Sequence, residues 1–215
     1  MVHFNESLSR AVVADRAFGR VGAPWEFNLR DVLRWCELAE AALELPAAAA
    51  PDDGAISAAV VATFPVVYLH RMRTADDRAH AAALFGKHFG LGSYVSVPPV
   101  VVPGHDATRL GVARLLRSDA ASGNTARSTP VLLLREQLPP MEAAAAALAR
   151  GWMAILVGPA ASGKTMLSRS LALLAGARLH EVRSPAAARS VSRAGAGSDE
   201  ERTLCFVRQK RLTLC

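Results

Sequence analysis

A chain of 215 residues, 51% hydrophobic but only 6% aromatic, can form one domain or two small ones, with an alanine-rich, helix-prone and thinly packed interior. Its three cysteines, Cys36, Cys205 and Cys215, are too widely spaced for a disulfide framework or a cysteine metal site. The start, Met1–Glu6, lacks the apolar core of a signal peptide, and the apolar run Ala58–Leu69 is short for a bilayer and broken by Pro65, so a soluble intracellular protein with no membrane role is expected. The net charge of +6 is arginine-heavy. It permits contact with an acidic partner such as RNA, although a GC-rich coding bias gives the same excess and no aromatic-and-basic RNA-binding motif accompanies it.

In chain order, residues 1–23 pattern as a helix followed by a glycine loop, Phe18-Gly-Arg-Val-Gly-Ala23. Asn28 then suits an N-cap, with Asp31 in the first turn to complement the helix dipole. Leu29, Val32, Leu33, Cys36 and Leu43 fall on one predicted face of the helix that follows. Trp25 and Trp35 flank its start as packing anchors. Pro46 to Gly54 reads as a loop, and Ile56 to Arg73 as a second helix kinked near Pro65. Thr74-Ala-Asp-Asp77 opens a third helix that runs to about Phe89. Arg71, Arg73 and Arg78 cluster around Asp76 and Asp77, a pattern expected of a solvated face with local pairs. His70, His80, His88 and His105 are scattered without metal-ligand spacing.

From Ser93 the character changes. Tyr94–Val97 and Val100–Val102 are strand-like, and Thr108 to Arg117 fits a strand or a short helix equally well. Ser118–Thr129 is a polar linker, and Met141–Ala149 is alanine-rich and helical. Trp152–Val157 reads as a buried strand, Leu167, Leu171 and Leu174 as a helix opening near Lys164, and Arg178–Val182 as another strand. The predicted organisation is a helical domain over residues 1–92, a β/linker junction over 93–130, a partial α/β core over 131–183, and a disordered or divergent tail over 184–215.

Between that strand and helix lies Gly158-Pro-Ala-Ala-Ser-Gly-Lys-Thr165, the G-x-x-x-x-G-K-[ST] form of a phosphate-binding loop. Strand, glycine loop and helix are the order the chemistry needs. Backbone N–H groups of Gly158, Pro159, Ala160, Ala161, Ser162, Gly163 and their successors to Met166 (proline excepted, which has none) surround the phosphates of ATP, and the helix N-terminus adds partial positive charge. Lys164 reaches the β- and γ-phosphates, and the Thr165 hydroxyl binds Mg²⁺. Hydrolysis also needs an apolar strand ending in Asp-Glu, and none follows Thr165. Asp199-Glu200-Glu201 precedes its apolar run instead of ending it. No catalytic residue is identified, and weak nucleotide binding with negligible turnover is expected of this chain alone.

Three segments in order carry a resemblance. Pro24-Trp-Glu-Phe-Asn-Leu-Arg-Asp-Val-Leu-Arg-Trp-Cys36, Tyr68-Leu-His-Arg-Met-Arg-Thr-Ala-Asp-Asp-Arg78 and Gly151–Thr165 together resemble the midasins, giant dynein-related AAA+ ATPases of large ribosomal subunit maturation. The likeness runs over roughly residues 1–182. It implies a fold in the α/β class: an all-helical AAA+ lid ending one module, then the partial P-loop α/β core that begins the next. It implies adjacent AAA modules of the same ring as partners, together with pre-60S ribosomal particles and assembly factors, and a place in the nucleolus and nucleoplasm. Arg30 falls where AAA+ proteins put a sensor arginine against the γ-phosphate; without the resemblance it is an exposed helix residue or a partner of Asp31 or Glu26. Because a lid closes over its own module's nucleotide, Arg30 is expected to serve the preceding module and Lys164 the following one. The resemblance also makes the Arg71, Arg73 and Arg78 cluster a module-to-module contact. Two departures stand out: Ala160-Ala161 replaces the family's usual Pro-Gly, and the likeness stops near Val182, as in a splice variant, a frame change or a truncated gene model. The alternative expectation is a non-catalytic scaffold or RNA-contacting assembly fragment with a vestigial loop.

Overall fold

The structure, a computed structural model, describes residues 1–43, 51–117, 133–159, 161–177, 179–181, 205–207 and 212–214. The predicted linker Ser118–Thr129, the stretch 184–198 expected to be disordered, the acids Asp199–Glu201 and Ala160 of the glycine loop lie outside the described residues. The chain divides into two compact units, residues 1–98 and 99–215.

Ten of the twelve aromatic residues fall within residues 1–94, and they build the first unit. Helix α1 (Val2–Ser9) continues into a π-helical turn, Arg10–Ala14. Helices α2 (Leu29–Leu43), α3 (Asp53–Val67) and α4 (Ala75–Phe89) follow, with a 3₁₀ turn at Leu69–Arg71. Phe4 of α1 stands edge-on to Trp35, Phe64, Tyr68 and Phe85, at centroid distances of 5.8, 5.5, 5.3 and 5.6 Å. Phe64 and Phe85 stack at 3.9 Å. Such edge-to-face and offset contacts add to the gain from apolar burial alone. Two large polar aromatics of this core are satisfied: the Trp35 indole donates to Thr63 Oγ1 at 3.1 Å, and the Tyr68 hydroxyl to Asn5 Oδ1 at 3.0 Å. Burial, and then the nearby Asp31 charge, raise the Tyr68 phenol far above its ordinary value, so it stays a donor.

The helix starts follow the sequence. Asn28 Oδ1 accepts the Arg30 N–H (2.9 Å) while Asp31 Oδ2 accepts the Asn28 N–H (3.3 Å), a reciprocal cap. Thr74 Oγ1 caps α4 through the Asp77 N–H (3.0 Å), and Gly90, left-handed at φ 64°, closes it. Asp52, read as part of a loop, is the N-cap of α3 through the Ala55 N–H at 2.7 Å. The expected apolar face of α2 needs correction. Val32 is buried, but Leu29 and Leu33 are 65% and 54% exposed and Cys36 is exposed. The helix turns instead on Trp35, with Asp31, Val32, Leu38 and Ala39 inward, because the indole brings the largest apolar surface. The second helix ends at Val67, with the chain leaving the 3₁₀ turn before Arg73, and carries Pro65 inside it. Asp53–Arg71 is long and apolar enough to cross a membrane by length and composition alone. Its Ala59, Val60, Thr63 and Phe64 nevertheless face the helical core, which accounts for its hydropathy without a bilayer.

In the second unit the ambiguous stretch Thr108–Arg117 is a hairpin. Strands β1 (Val101–Pro103), β2 (Ala107–Leu110) and β3 (Ala113–Leu116) form an antiparallel sheet in that order. Leu110 pairs with Ala113 across Gly111-Val112, and Gly111, at φ 55°, supplies the left-handed conformation a two-residue turn requires. Tyr94–Val97 is not a strand. Helix α5 (Leu138–Ala149) covers the hairpin with an alanine and leucine face. The buried Glu142 accepts the Val112 N–H at 2.8 Å, and the Thr108 hydroxyl donates to Leu174 O at 2.9 Å. Strand β4 (Ala154–Leu156) leads through the glycine loop to α6 (Lys164–Leu174) and β5 (Leu179–Glu181). Within the expected tail, β6 (Cys205–Val207) pairs antiparallel with β4, and β7 (Leu212–Leu214) parallel with β5.

Two outcomes test this packing. Trp35→Ala, which empties the aromatic cluster and orphans its hydrogen bond, should cost about 3–5 kcal/mol in urea denaturation. Burial pushes the Glu142 carboxyl up to about 7, against the lowering effect of the Val112 N–H. Folded protein therefore holds a proton that unfolded chain releases near its ordinary 4.5, so stability is full below that pH and falls as pH rises to about 7. Glu142→Gln keeps an acceptor and abolishes the titration. It should match wild type in thermal melts near pH 4 and exceed it by about 1–3 kcal/mol at pH 8.

Candidate phosphate-binding loop

The loop is positioned from both sides by the second unit. On one side β4 delivers the chain to Gly158; on the other α6 begins at Lys164, with Leu167, Ser168, Leu171 and Ala172 buried beneath it. Gly163 is the N-cap of α6 at φ 84° and has no side chain to satisfy the first helical N–H groups. Such groups lack intrahelical acceptors, and a helix start of this kind suits an anion. A Cβ at Gly163 would be strained by its φ and would sit 3.0 Å from Gln137 Nε2. One at Gly158 would sit 2.9 Å from Ser162 Oγ. The tight loop therefore has room for backbone only at both glycines. Ala161 is also left-handed, at φ 60°, where the resemblance would place glycine. That is a costly conformation for alanine and sits at the position flagged by sequence.

Lys164 is folded over its own loop. Its Nζ donates to Gly158 O at 2.9 Å, Pro159 O at 2.5 Å and Ser162 Oγ at 3.2 Å. Thr165 is exposed, so its hydroxyl is open to a cation, and Met166 is 53% exposed beside it. The donor set suits a polyphosphate with Mg²⁺: backbone N–H groups, one ammonium and one hydroxyl, in a loop too narrow for side chains. Residues Gly158, Pro159, Ala161, Ser162, Gly163, Lys164 and Thr165 are thus brought together. The expectation of a buried strand before the loop is corrected, since Ile155 and Val157 are 48% and 47% exposed. Burial on both faces needs a wide sheet with helices on each side, and β4 belongs to a two-stranded one.

Arg30 lies in the other unit, exposed in the first turn of α2. Both of its suggested partners are engaged elsewhere. Asp31 Oδ1 pairs with Arg71 Nη1 at 3.1 Å, and Glu26 Oε1 accepts from Asn28 Nδ2 at 3.0 Å. The basic cluster is likewise rearranged relative to expectation. Arg71 also donates to Glu26 O (2.9 Å) and lies 5.1 Å over the Phe27 ring, while Arg78 donates to Met72 O at 3.0 Å. Asp77 accepts the Gly19 N–H at 2.7 Å. Arg71 and Asp77 therefore tie the 15–28 segment to the helices, a role invisible to local charge counting. Among the described residues no group of three His, Cys, Asp or Glu side chains is placed to hold a metal ion.

A helical unit with a capped lid helix, followed by strand, glycine loop and helix, marks a segment of an AAA+ protein. The relatives it resembles are midasins: residues 1–92 match the family model of the midasin AAA lid domain. The chain is 29% identical to midasin of Dictyostelium discoideum over 201 residues, 84% of its length, and 29% identical to midasin of Giardia intestinalis over 178 residues, 76% of its length. It spans only 3% and 4% of those two relatives. The resemblance read from three sequence segments is thereby borne out.

Gly163→Ala probes the loop directly. The forced left-handed alanine should lower stability by about 1–2 kcal/mol, read by thermal melting.

Proposed function

We propose that this chain is the ATP-binding segment of a midasin-type AAA+ ATPase, with Gly158–Thr165 receiving the nucleotide of the module that begins in the second unit. The observation that carries the reading is the loop itself: a side-chain-free N-cap at Gly163 with Lys164 and Thr165 beside it at the head of α6. Lys164 leaves the Gly158 and Pro159 carbonyls for the phosphates, and Thr165 holds Mg²⁺, which would neutralise phosphate charge when bound.

In the complete protein the loop serves ATP hydrolysis that drives remodelling of pre-60S particles in the nucleus, with the lid and acidic motif of its own module completing the site. Arg30, freed of Asp31 and Glu26, acts as sensor for the nucleotide of the preceding module. The alternative is a non-catalytic scaffold or RNA-contacting fragment, and it is favoured by one observation: the lysine already has three acceptors within its own loop.

Titration with a fluorescent ATP analogue and Mg²⁺ separates these. Lys164→Ala should weaken binding by at least about tenfold, whereas Arg30→Ala should leave it unchanged. Equal affinity of wild type and Lys164→Ala would replace the nucleotide reading by the scaffold one. A large loss on Arg30→Ala would overturn the division of the two residues between modules.

A further inference from the structure

Away from the glycine loop, the first unit holds a groove with a cavity volume of about 690 Å³. It lies between the π-helical turn and the loop that follows it. Val12, Val13, Phe18 and Pro24 form apolar walls, and Arg16 and Arg20 supply two cations. Val13 is 47% exposed, so the groove offers apolar surface to solvent. No acidic side chain lines it, although Asp15 and Glu26 are near in sequence. Among the described residues neither Arg16 nor Arg20 makes an ion pair, unlike Arg71. The backbone is held in shape for this arrangement. The π turn sets Val12 and Val13 at the wall, and Arg16 sits at φ 50°, a conformation that a non-glycine residue adopts only when its surroundings impose it.

We propose that this groove binds an acidic peptide segment of a partner, with one apolar side chain seated between Val12, Val13 and Pro24 and flanking carboxylates on Arg16 and Arg20. Charge complementarity selects the occupant: two unpaired guanidiniums beside apolar walls match a carboxylate-rich chain with an aliphatic or aromatic anchor. A peptide fits better than single-stranded nucleic acid, which needs free aromatic faces to stack on. Of the two aromatic residues here, Trp25 is stacked on Phe27 with its indole N–H donated to Gly19 O, and Phe18 is buried against His80. The volume accommodates one large side chain with its neighbouring backbone. The site is independent of the nucleotide reading and stands or falls apart from it.

The test is fluorescence anisotropy on the full chain with a labelled peptide of about a dozen residues, Asp/Glu-rich around a central Leu-Phe pair. Arg16→Gly with Arg20→Ser removes both charges, and glycine accepts the positive φ, so thermal melts should show no loss of fold. The double variant should bind on the order of tenfold more weakly. Val13→Asp, which spoils the wall and leaves both arginines, should weaken binding comparably, and raising salt should do so progressively. Equal binding of a peptide with Lys in place of Asp and Glu, or unchanged affinity in both variants, would overturn the proposal. Arginine-dependent binding of a labelled oligouridine with no binding of the acidic peptide would overturn it in favour of RNA.

Discussion

Phe4 is the contact on which the first unit depends. It meets Trp35 of α2, Phe64 and Tyr68 of the α3 region, and Phe85 of α4, so one ring on the shortest helix touches every other helix of the lid. An alanine-rich chain has few large side chains with which to fix helix positions. Concentrating almost all of its aromatic residues here gives the lid a defined interior that Ala and Val alone would leave degenerate. The second unit lacks this resource. Its hairpin and α5 meet through Leu110, Leu115, Met141 and small alanines, and its fixed points are polar: the Glu142 clasp on the hairpin turn and the Thr108 bond to the end of α6.

The aromatic core has a consequence for the segment that enters the lid helix. Residues 15–28 have no regular secondary structure, yet they are pinned by Arg71 to Glu26 and Asp31, and by Asp77 to Gly19. Both charged groups are close in the chain to core aromatics: Arg71 follows Tyr68 by three residues, and Asp77 shares the buried stripe of α4 with Phe85. Rigidity is thus passed from the aromatic cluster through two charged contacts to a loop that presents Trp25, Arg30 and the groove between Val12 and Pro24. Arg30 is left exposed because its own neighbours are committed: Asn28 and Asp31 cap the helix, and Glu26 holds Asn28.

Much of this was legible beforehand because it is local. Caps at Asn28 and Thr74 are each written within four or five consecutive residues, and the Gly158–Thr165 pattern within eight, where backbone donors and side-chain acceptors must meet. Two errors share a different origin. The face of α2 was read from leucines, but Trp35 outweighs them, and which helix stripe is buried depends on what the neighbouring helices bring to it. The loop strand was read as buried from its composition, yet burial of a strand is decided by how many strands and helices flank it.

Sequence alone determined the residue pattern of the loop and, through three separated segments, the resemblance to midasin. Spacing of glycine, lysine and threonine is fixed by covalent geometry, whatever surrounds it. Only the tertiary structure decided that Lys164 rests on the carbonyls of its loop, that Arg71 reaches across some forty residues to Asp31, and that Arg16 and Arg20 stand beside apolar walls with no ion pair among the described residues. The Arg71 pair depends on which groups distant parts of the chain place within a few ångströms of one another, and the other two on how a short loop closes on itself. Local pattern carries no record of that, because a side chain's partner is chosen by packing and not by its neighbours in sequence.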